Sequence, residues 1–173
     1  RSTINFLVNR QELDFVESPG KFLDIINEYL FKDIQLTEVF TTLSIISLCT
    51  SSNKISIASA GALRPFLYDG IDKTISQLNI VGTLLGVVKE IKYRSLVHEF
   101  NKGDKLFFYT DGYTEAVNDR TGEMIGDEAM FYILDNNKEK EIIEPKDVEL
   151  ELTKIYNVSK FDDDRTLLLI QRN

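Results

Sequence analysis

Residues 105–116 read KLFFYTDGYTEA, which joins a short apolar strand to an acidic turn. Phe107 and Tyr109 recur at the two-residue period of a strand, and we expect both rings to pack in a core rather than to act as stacking platforms. The strand ends at Asp111 and Gly112, where a sharp turn leaves a carboxylate at the mouth of the strand. This stretch predicts a buried strand with an acidic group at its carboxyl end.

The end of the chain has the same arrangement in reverse order. Residues 162–171 read DDDRTLLLIQ, so three carboxylates precede an unbroken apolar run that is typical of a strand buried on both sides. Adjacent carboxylates repel one another, and a divalent cation relieves that repulsion. If the strands at 105–109 and 166–171 are neighbours, their acidic ends can face one ion or a pair of ions. Taken alone, each acidic turn is more often an ordinary solvated turn, and that alternative stays open here.

Helix and strand patterns occur in blocks along the rest of the chain. Ser18 and Pro19 begin a helix predicted over 19–31, because Ser caps helices and Pro suits the first helical position. The strand at 39–49 carries apolar residues on both faces, so we expect it to be central. The other predicted elements are a loosely helical opening segment at 4–15, strands at 54–60, 63–68, 74–78 and 93–100, helices at 126–134 and from Pro145, and a loop at 136–144.

The turns between these strands indicate how they pair. Asp69 and Gly70 are a hairpin signal between two strands, and the other turns between consecutive strands are also short. Short turns predict antiparallel pairing. The sequence therefore predicts an α+β fold of layered antiparallel sheets and helices, which forms a single domain over residues 1–173.

Composition narrows the kinds of site that this chain can carry. Its 28 Asp and Glu residues against 20 Lys and Arg residues give a net charge of −8, so we expect no nucleic-acid partner. Apolar runs are too interrupted for a membrane span, and we expect no membrane insertion. With one histidine and one cysteine in the chain, a His-rich metal site and an internal disulfide are excluded, and any metal must be a hard, oxygen-bound cation. We expect a cytoplasmic location and no signal peptide after Arg1.

For a few other residues, an ordinary structural role is favoured over a functional one. We expect Cys49 to be a small core residue and His98 to be a surface or half-buried strand residue. Arg64 can meet a phosphate, but a plain surface arginine is the favoured alternative. Gly82 and Gly86 bracket an apolar loop, for which a tight turn is the default interpretation.

Six segments, in order along the chain, resemble the metal-dependent serine/threonine phosphatase family (PPM, type 2C), in particular its bacterial stage II sporulation protein E branch. The most specific is YTDGYTEA at 109–116, preceded by GDKL at 103–106. The others are VFTTL at 39–43, AGALRP at 60–65, GTLLG at 82–86, GEMIG at 122–126 and DDRTL at 163–167. Any one of these segments is weak, whereas six in family order are specific.

This resemblance implies two packed β-sheets flanked by helices and a two-metal centre of Mn²⁺ or Mg²⁺. By motif position, Asp111 and Asp163 would be metal ligands, and Asp164 is a weaker candidate. The implied activity is hydrolysis of phosphoserine or phosphothreonine by a metal-activated water, without a covalent enzyme intermediate. The implied partner is a phosphoprotein substrate, such as an anti-sigma-factor antagonist of a bacterial regulatory system, and a homodimer is possible. The alternative is a non-catalytic binding module or an inactive fragment of this family.

The chain departs from the family pattern in two respects. Ala62 occupies the position at which the family turn normally carries His. The strand with an essential Asp and the Asp-Gly-x-Gly-His stretch that begin the family domain have no counterpart before Val39. We therefore expect the chain to represent the C-terminal two-thirds of the domain, with the N-terminal part and half of the metal shell missing. We expect the isolated chain to have weak activity or none.

Overall fold

The computed structural model describes residues 18–37 and 40–173, which form four helices and seven strands. The helices are α1 (Pro19–Thr37), α2 (Asp111–Thr114), α3 (Gly126–Asn137) and α4 (Pro145–Tyr156). The strands are β1 (Leu43–Cys49), β2 (Lys54–Ala60), β3 (Phe66–Asp69), β4 (Thr74–Gln77), β5 (Leu96–Glu99), β6 (Lys105–Tyr109) and β7 (Leu167–Gln171). The helical segment predicted at 4–15 and the first residue of the strand predicted at 39–49 lie outside the described residues.

These elements group into two compact units that alternate along the chain. The first unit holds the described residues up to Ala62 together with Ile80–Phe100, and the second holds Leu63–Asn79 together with Asn101–Asn173. Each unit contains one antiparallel sheet, with strand order β1-β2-β5 in the first and β4-β3-β6-β7 in the second. The predicted α+β class with antiparallel sheets and helices is confirmed. The single domain over 1–173 stays a prediction.

In the first unit, β2 rather than β1 is the central strand. β2 pairs with β1 along its whole length and with β5 on its other side, and α1 packs on this sheet. The prediction of a central strand at 39–49 is wrong for the part of the chain that the structure describes, where β1 is an edge strand and Leu48 is 46% exposed. Small side chains such as Ser56 and Ala58 let β2 be enclosed on both faces. The core of this unit contains Leu23, Ala58, Ala60, Leu85 and Tyr93.

A buried asparagine fixes the loop after Ile80 to α1. Asn27 is 1% exposed and donates from Nδ2 to the Val88 carbonyl at 2.8 Å, and its Oδ1 accepts from the Gly86 amide at 2.7 Å. Gly86 has a φ of +83°, and a Cβ at Gly82 would overlap the Ser59 carbonyl oxygen. Gly86 therefore lies in a turn that requires a positive φ, in agreement with the tight-turn interpretation, whereas Gly82 is required by a close backbone contact outside a turn.

In the second unit, β6 is central and buried. Phe107 has no exposed surface, lies opposite Phe66 on one side and Leu169 on the other, and Tyr109 is 7% exposed. The predicted core packing of Phe107 and Tyr109 is confirmed. The hairpin between β3 and β4 is also confirmed, and its turn is closed by Asp69, whose Oδ1 accepts from two following backbone amides.

The prediction that the final strand is buried on both sides is wrong for the described residues. β7 pairs with β6 on one side and forms the edge of the described sheet, and Leu168 is 48% exposed. The strand packs through Leu167 and Leu169, which lie against the core of this unit. An unbroken apolar run does not distinguish a central strand from an edge strand, because only one face of the run needs a packing partner.

Both long helices of the second unit begin where the sequence predicts. α4 starts at Pro145 behind a capping box formed by Glu144 and Asp147. α3 runs past its predicted end to Asn137, and the Lys105 ammonium donates to the carbonyl of Lys138 just beyond it at 2.8 Å. Since a cation near a helix C-terminus satisfies free carbonyl groups, Lys105 stabilises this longer helix.

Two further residues test expectations about exposure. His98 is exposed on β5, as predicted. Cys49 is not a buried core residue: it is half-buried at the end of the edge strand β1, with Sγ 3.3 Å from the Ser51 hydroxyl. That hydrogen bond is the main cause that lowers the pKa of Cys49 to about 7. None of the described helices has the combination of length and apolarity needed to cross a membrane.

Candidate metal site at two paired strand ends

Strands β6 and β7 bring the two acidic turns to one end of the second sheet. The strands are antiparallel neighbours with Tyr109 opposite Leu167, so the carboxyl end of β6 lies beside the amino end of β7. Asp111 follows Tyr109 by two residues, and Asp163 precedes Leu167 by four. The neighbouring strands assumed in the sequence analysis are therefore present.

The Thr110 side chain joins the two turns directly. Its hydroxyl donates to the Asp164 carbonyl at 3.2 Å, and its oxygen accepts from the Thr166 amide at 2.9 Å. The Thr110 amide donates in turn to the Thr166 carbonyl at 3.1 Å. These three hydrogen bonds extend the β6–β7 ladder by one residue and fix the path of the chain on both sides of the acidic end.

Gly112 allows the two turns to touch. A Cβ at this position would overlap the Asp164 carbonyl oxygen and would lie 3.2 Å from Cγ of Arg165. The glycine does not have a positive φ, so the lack of space, and not an unusual backbone conformation, is the reason for its presence. Close backbone contact at Gly112 therefore holds the Asp111 turn against the Asp163 turn.

Asp111 is presented to solvent from a fixed backbone. It is the first residue of α2, after Thr110 at the N-cap, and its side chain is exposed. The Asp111 carbonyl accepts from the Glu115 amide at 2.8 Å and from the Thr114 hydroxyl at 3.3 Å. The sequence predicts only a turn here, whereas the structure has one turn of helix that orients the carboxylate.

The second acidic turn keeps its three carboxylates in different environments. Asp162 forms an ion pair with Lys160, which compensates its charge. The Asp163 Oδ1 accepts from the Asp164 amide at 2.7 Å, while Asp163 and Asp164 are both exposed. One oxygen of Asp163 is thus used to shape the turn, and the other points to no described hydrogen-bond donor.

An arginine next to this turn is anchored to α4. The Arg165 Nε donates to Oε1 of Glu149 at 2.9 Å, and Nη1 donates to the Asp163 carbonyl at 3.4 Å. The guanidinium carbon lies 4.1 Å from the centre of the Phe161 ring, which is within range of a cation–π interaction. Arg165 is therefore the cation that connects the acidic turn with the body of the unit.

The residues at this end fit a hard divalent cation in kind and supply part of a coordination shell. Asp111, Asp163 and Asp164 offer exposed carboxylate oxygens, which Mg²⁺ and Mn²⁺ prefer as ligands. Over residues 18–37 and 40–173, however, no group of three His, Cys, Asp or Glu side chains is arranged to hold a metal ion. Further positions would have to be filled by water or by other ligands. The roles of Asp111 and Asp163 as metal ligands stay predictions.

Arg64 takes part in a different polar cluster of the second unit. Its Nη2 lies 3.9 Å from Oδ2 of Asp127, which also accepts from Gln77 at 3.2 Å. The Tyr109 hydroxyl donates to Oδ1 of Asp127 at 3.1 Å. Burial, followed by the Asp127 charge, raises the pKa of Tyr109. The Arg64 side chain is 42% exposed, in agreement with the favoured interpretation of a surface arginine.

Sequence reasoning missed three residues that shape this site. The role of Thr110 could have been recognised from the sequence, because a hydroxyl residue between a strand and an acidic turn is well placed for local backbone hydrogen bonds. Arg165 follows three carboxylates and could be suspected as their counterion. Nothing in the sequence distinguishes Glu149, because it is one of several acidic residues on α4 and lies 16 positions from Arg165 in the chain.

Comparison with known proteins gives one family and several relatives. The family described as stage II sporulation protein E (SpoIIE) matches residues 1–173. The phosphoserine phosphatase RsbU of Bacillus subtilis (strain 168) is 26% identical over 98 residues, which are 57% of this chain and 29% of RsbU. The chain thus spans less than a third of this curated relative.

Two solved structures show the same fold. The SiaA-PP2C domain of Pseudomonas aeruginosa has a TM-score of 0.65 at 14% identity, with 90% of this chain and 71% of that chain covered. The phosphatase domain of SpoIIE from Bacillus subtilis, presoaked with manganese, has a TM-score of 0.58 at 16% identity, with 100% of this chain and 73% of that chain covered. At these identities the similarity concerns the fold.

Proposed function

Because the chain belongs to the stage II sporulation protein E (SpoIIE) family, we propose that it is part of a protein phosphatase that hydrolyses phosphoserine or phosphothreonine with a metal-activated water. The domain is of the PPM serine/threonine phosphatase type. The substrate that we propose is a phosphorylated bacterial regulatory protein, such as an anti-sigma-factor antagonist. The relative RsbU, described as a phosphoserine phosphatase, supports this class of substrate.

The observation that carries the proposal is the pairing of Tyr109 with Leu167. This pairing brings the turns that carry Asp111 and Asp163 to one end of the sheet, although the two residues are 52 positions apart in the sequence. Two exposed carboxylates on adjacent, hydrogen-bonded turns offer part of the oxygen coordination that a divalent cation requires. Arg165 donates to the Asp163 carbonyl and pairs with Glu149, so it ties the Asp163 turn to α4.

In the proposed reaction, Asp111 and Asp163 hold the metal centre through their carboxylate oxygens. Bound divalent cations would lower the pKa of a coordinated water toward neutrality and would neutralise charge on the phosphoryl oxygens. The chain's own residues orient these two carboxylates. The helix α2 fixes the backbone of Asp111, and Thr110 fixes the spacing between the two turns. We propose that the remaining metal ligands come from outside residues 40–173.

A second candidate function has one observation in its favour. The described residues contain no group of three side chains that could hold a metal ion. A protein with this fold and an incomplete metal shell would bind a partner, or a single cation, without turning over phosphate. Metal-dependent turnover distinguishes the two candidates, because a binding module has none.

The test is hydrolysis of a phosphoserine peptide and of p-nitrophenyl phosphate by the full-length protein, with Mn²⁺ and then with a chelator. We expect turnover that depends on Mn²⁺, and weak or absent turnover for residues 1–173 alone. Calorimetric titration with Mn²⁺ then counts one, two or no binding sites. Turnover that is unaffected by the chelator, or none in the full-length protein, would contradict the proposal.

A further inference from the structure

We propose that Glu149 on α4 is a positioning residue that holds both acidic turns in place for metal binding, through Arg165, whose side chain contacts both turns. The proposal rests on the proposed function, because positioning matters only if these turns bind a cation. It goes beyond that function by assigning a role to a helix that contributes no candidate ligand. It also predicts that movement of α4 alters metal affinity.

The link to the Asp163 turn is a direct chain of contacts. Oε1 of Glu149 accepts from Nε of Arg165 at 2.9 Å, and Nη1 of the same guanidinium donates to the Asp163 carbonyl at 3.4 Å. The Phe161 ring lies against the guanidinium, with 4.1 Å between the guanidinium carbon and the ring centre. Because a guanidinium is planar and rigid, fixing its Nε edge and its face also fixes the direction of its other donors.

The link to the Asp111 turn is a close contact of the same arginine. A Cβ at Gly112 would lie 3.2 Å from Cγ of Arg165, so the Arg165 side chain packs against the residue that follows Asp111. Because Glu149 holds Arg165 through its Nε, it also limits the position of the Asp111 turn.

The environment of the pair suits positioning better than stabilisation of the fold. The side chains of Arg165 and Glu149 are 27% and 34% exposed, so water screens part of their attraction. Ion pairs with such exposure contribute little to the free energy of unfolding. Outer contacts that orient metal ligands, in contrast, typically change metal affinity by about 10–100-fold when they are removed. A structural role and a positioning role therefore predict different experimental results.

The experiment compares Glu149→Gln with Glu151→Gln in the full-length protein. Both changes remove one carboxylate from α4, but Glu151 accepts from Asn137 of α3 and makes none of the described contacts with the acidic turns. We expect Glu149→Gln to weaken Mn²⁺ binding by about 10–100-fold in calorimetric titration, with a small change in melting temperature. Glu151→Gln should bind Mn²⁺ as the unmodified protein does.

A second comparison uses Arg165. Arg165→Met removes both donors and should weaken Mn²⁺ binding as much as Glu149→Gln does. Arg165→Lys keeps the charge, but one ammonium cannot replace the two fixed donors, so its Mn²⁺ affinity should lie between those of Arg165→Met and the unmodified protein. Combining Glu149→Gln with Arg165→Met should weaken binding little further than either change alone, since both act through one chain of contacts.

A measurement without metal keeps this proposal separate from the proposed function. In metal-free protein, Glu149→Gln should speed hydrogen exchange at the amides of Asp164 and Thr166, whose hydrogen bonds shape the acidic end. Unchanged exchange, or unchanged Mn²⁺ affinity in Glu149→Gln when the unmodified protein binds Mn²⁺, would overturn the positioning role alone. Absence of both Mn²⁺ binding and turnover in the unmodified protein would overturn the proposed function, and the positioning role with it.

Discussion

Thr110 and Thr166 form a reciprocal pair at the acidic end of the second sheet. The Thr110 amide donates to the Thr166 carbonyl at 3.1 Å, and the Thr166 amide donates back to the Thr110 hydroxyl oxygen at 2.9 Å. The side chain of Thr110 thus replaces a backbone acceptor at the point where the ladder would otherwise end. Both acidic turns flank this pair, so its geometry constrains how the Asp111 turn lies against the Asp163 turn.

Thr110→Val tests how much this pair contributes. Valine keeps the shape of threonine but leaves the Thr166 amide and the Asp164 carbonyl without their partner. We expect a loss of about 1–3 kcal/mol in the free energy of unfolding, measured by urea denaturation. Thr153→Val removes a hydroxyl that bonds to a helical carbonyl at an exposed site, and its effect should be smaller. Equal effects of the two changes would contradict a special role for Thr110.

Gly112→Ala tests the close contact between the turns. The added methyl group overlaps the Asp164 carbonyl, so the two backbones must separate, at a cost of about 1–3 kcal/mol. The amide NMR signals of residues 163–166 should shift. Gly122→Ala is the matched control, because Gly122 has open space and a φ of +72°. That variant should lose stability through its backbone conformation alone and leave the signals of 163–166 in place.

Asp111→Asn separates metal binding from folding. An attraction between unit charges 4 Å apart is on the order of 4 kcal/mol near a protein surface, so we expect Mn²⁺ affinity to fall by at least about 100-fold. Turnover by the full-length protein should fall with it. Stability without metal should stay the same or rise, because one of several neighbouring carboxylates loses its charge.

The control for this change is Asp72→Asn. Asp72 lies in the exposed turn of the β3–β4 hairpin, where its backbone amide donates to Oδ1 of Asp69. The Asp72→Asn protein should bind Mn²⁺ and turn over substrate as the unmodified protein does. Near-normal phosphatase activity of Asp111→Asn would refute the assignment of Asp111 as a metal ligand.

The sequence predicts local structure well where a residue has a single physical role. Pro145 at the start of α4, Asp69 in the hairpin turn and the core packing of Phe107 and Tyr109 in β6 were each predicted from local patterns, and the structure confirms all three. The positions of β1 and β7 within their sheets could not be predicted in the same way. Whether an apolar strand is central depends on which other strand lies beside it, and this information is not contained in the strand itself.

In the candidate site too, some features were predictable from local sequence and others depend on tertiary packing. The acidic turns after residue 109 and before residue 167 were predicted, since a carboxylate at a strand end is visible in the sequence. The contact of Glu149 with Arg165 could not be predicted, because it depends on how α4 packs in the second unit. The sequence therefore indicates candidate ligands, whereas the groups that orient them emerge only from tertiary structure.

The last prediction concerns stability at alkaline pH and depends on Tyr109. Burial and the Asp127 charge raise the pKa of Tyr109 in the folded protein, whereas an unfolded chain has tyrosine pKa values of about 10. Above pH ~10 the unfolded state loses a proton that the folded state keeps, so the free energy of unfolding must fall as pH rises. Below pH ~10 both states keep the proton, and this tyrosine causes no pH dependence.

Tyr109→Phe removes this contribution together with the hydrogen bond to Asp127. At pH 8 we expect a loss of about 1.5–3 kcal/mol, the typical range for a hydrogen bond to a charged group. Between pH 9.5 and 11, urea denaturation of Tyr109→Phe should show a shallower fall with pH than the unmodified protein. Some fall should remain, because burial also raises the pKa values of Tyr93, Tyr113 and Tyr156. Tyr29→Phe, at a side chain that is 43% exposed, should keep the full slope. An unchanged slope in Tyr109→Phe would show that the buried tyrosine at the end of β6 does not govern alkaline unfolding.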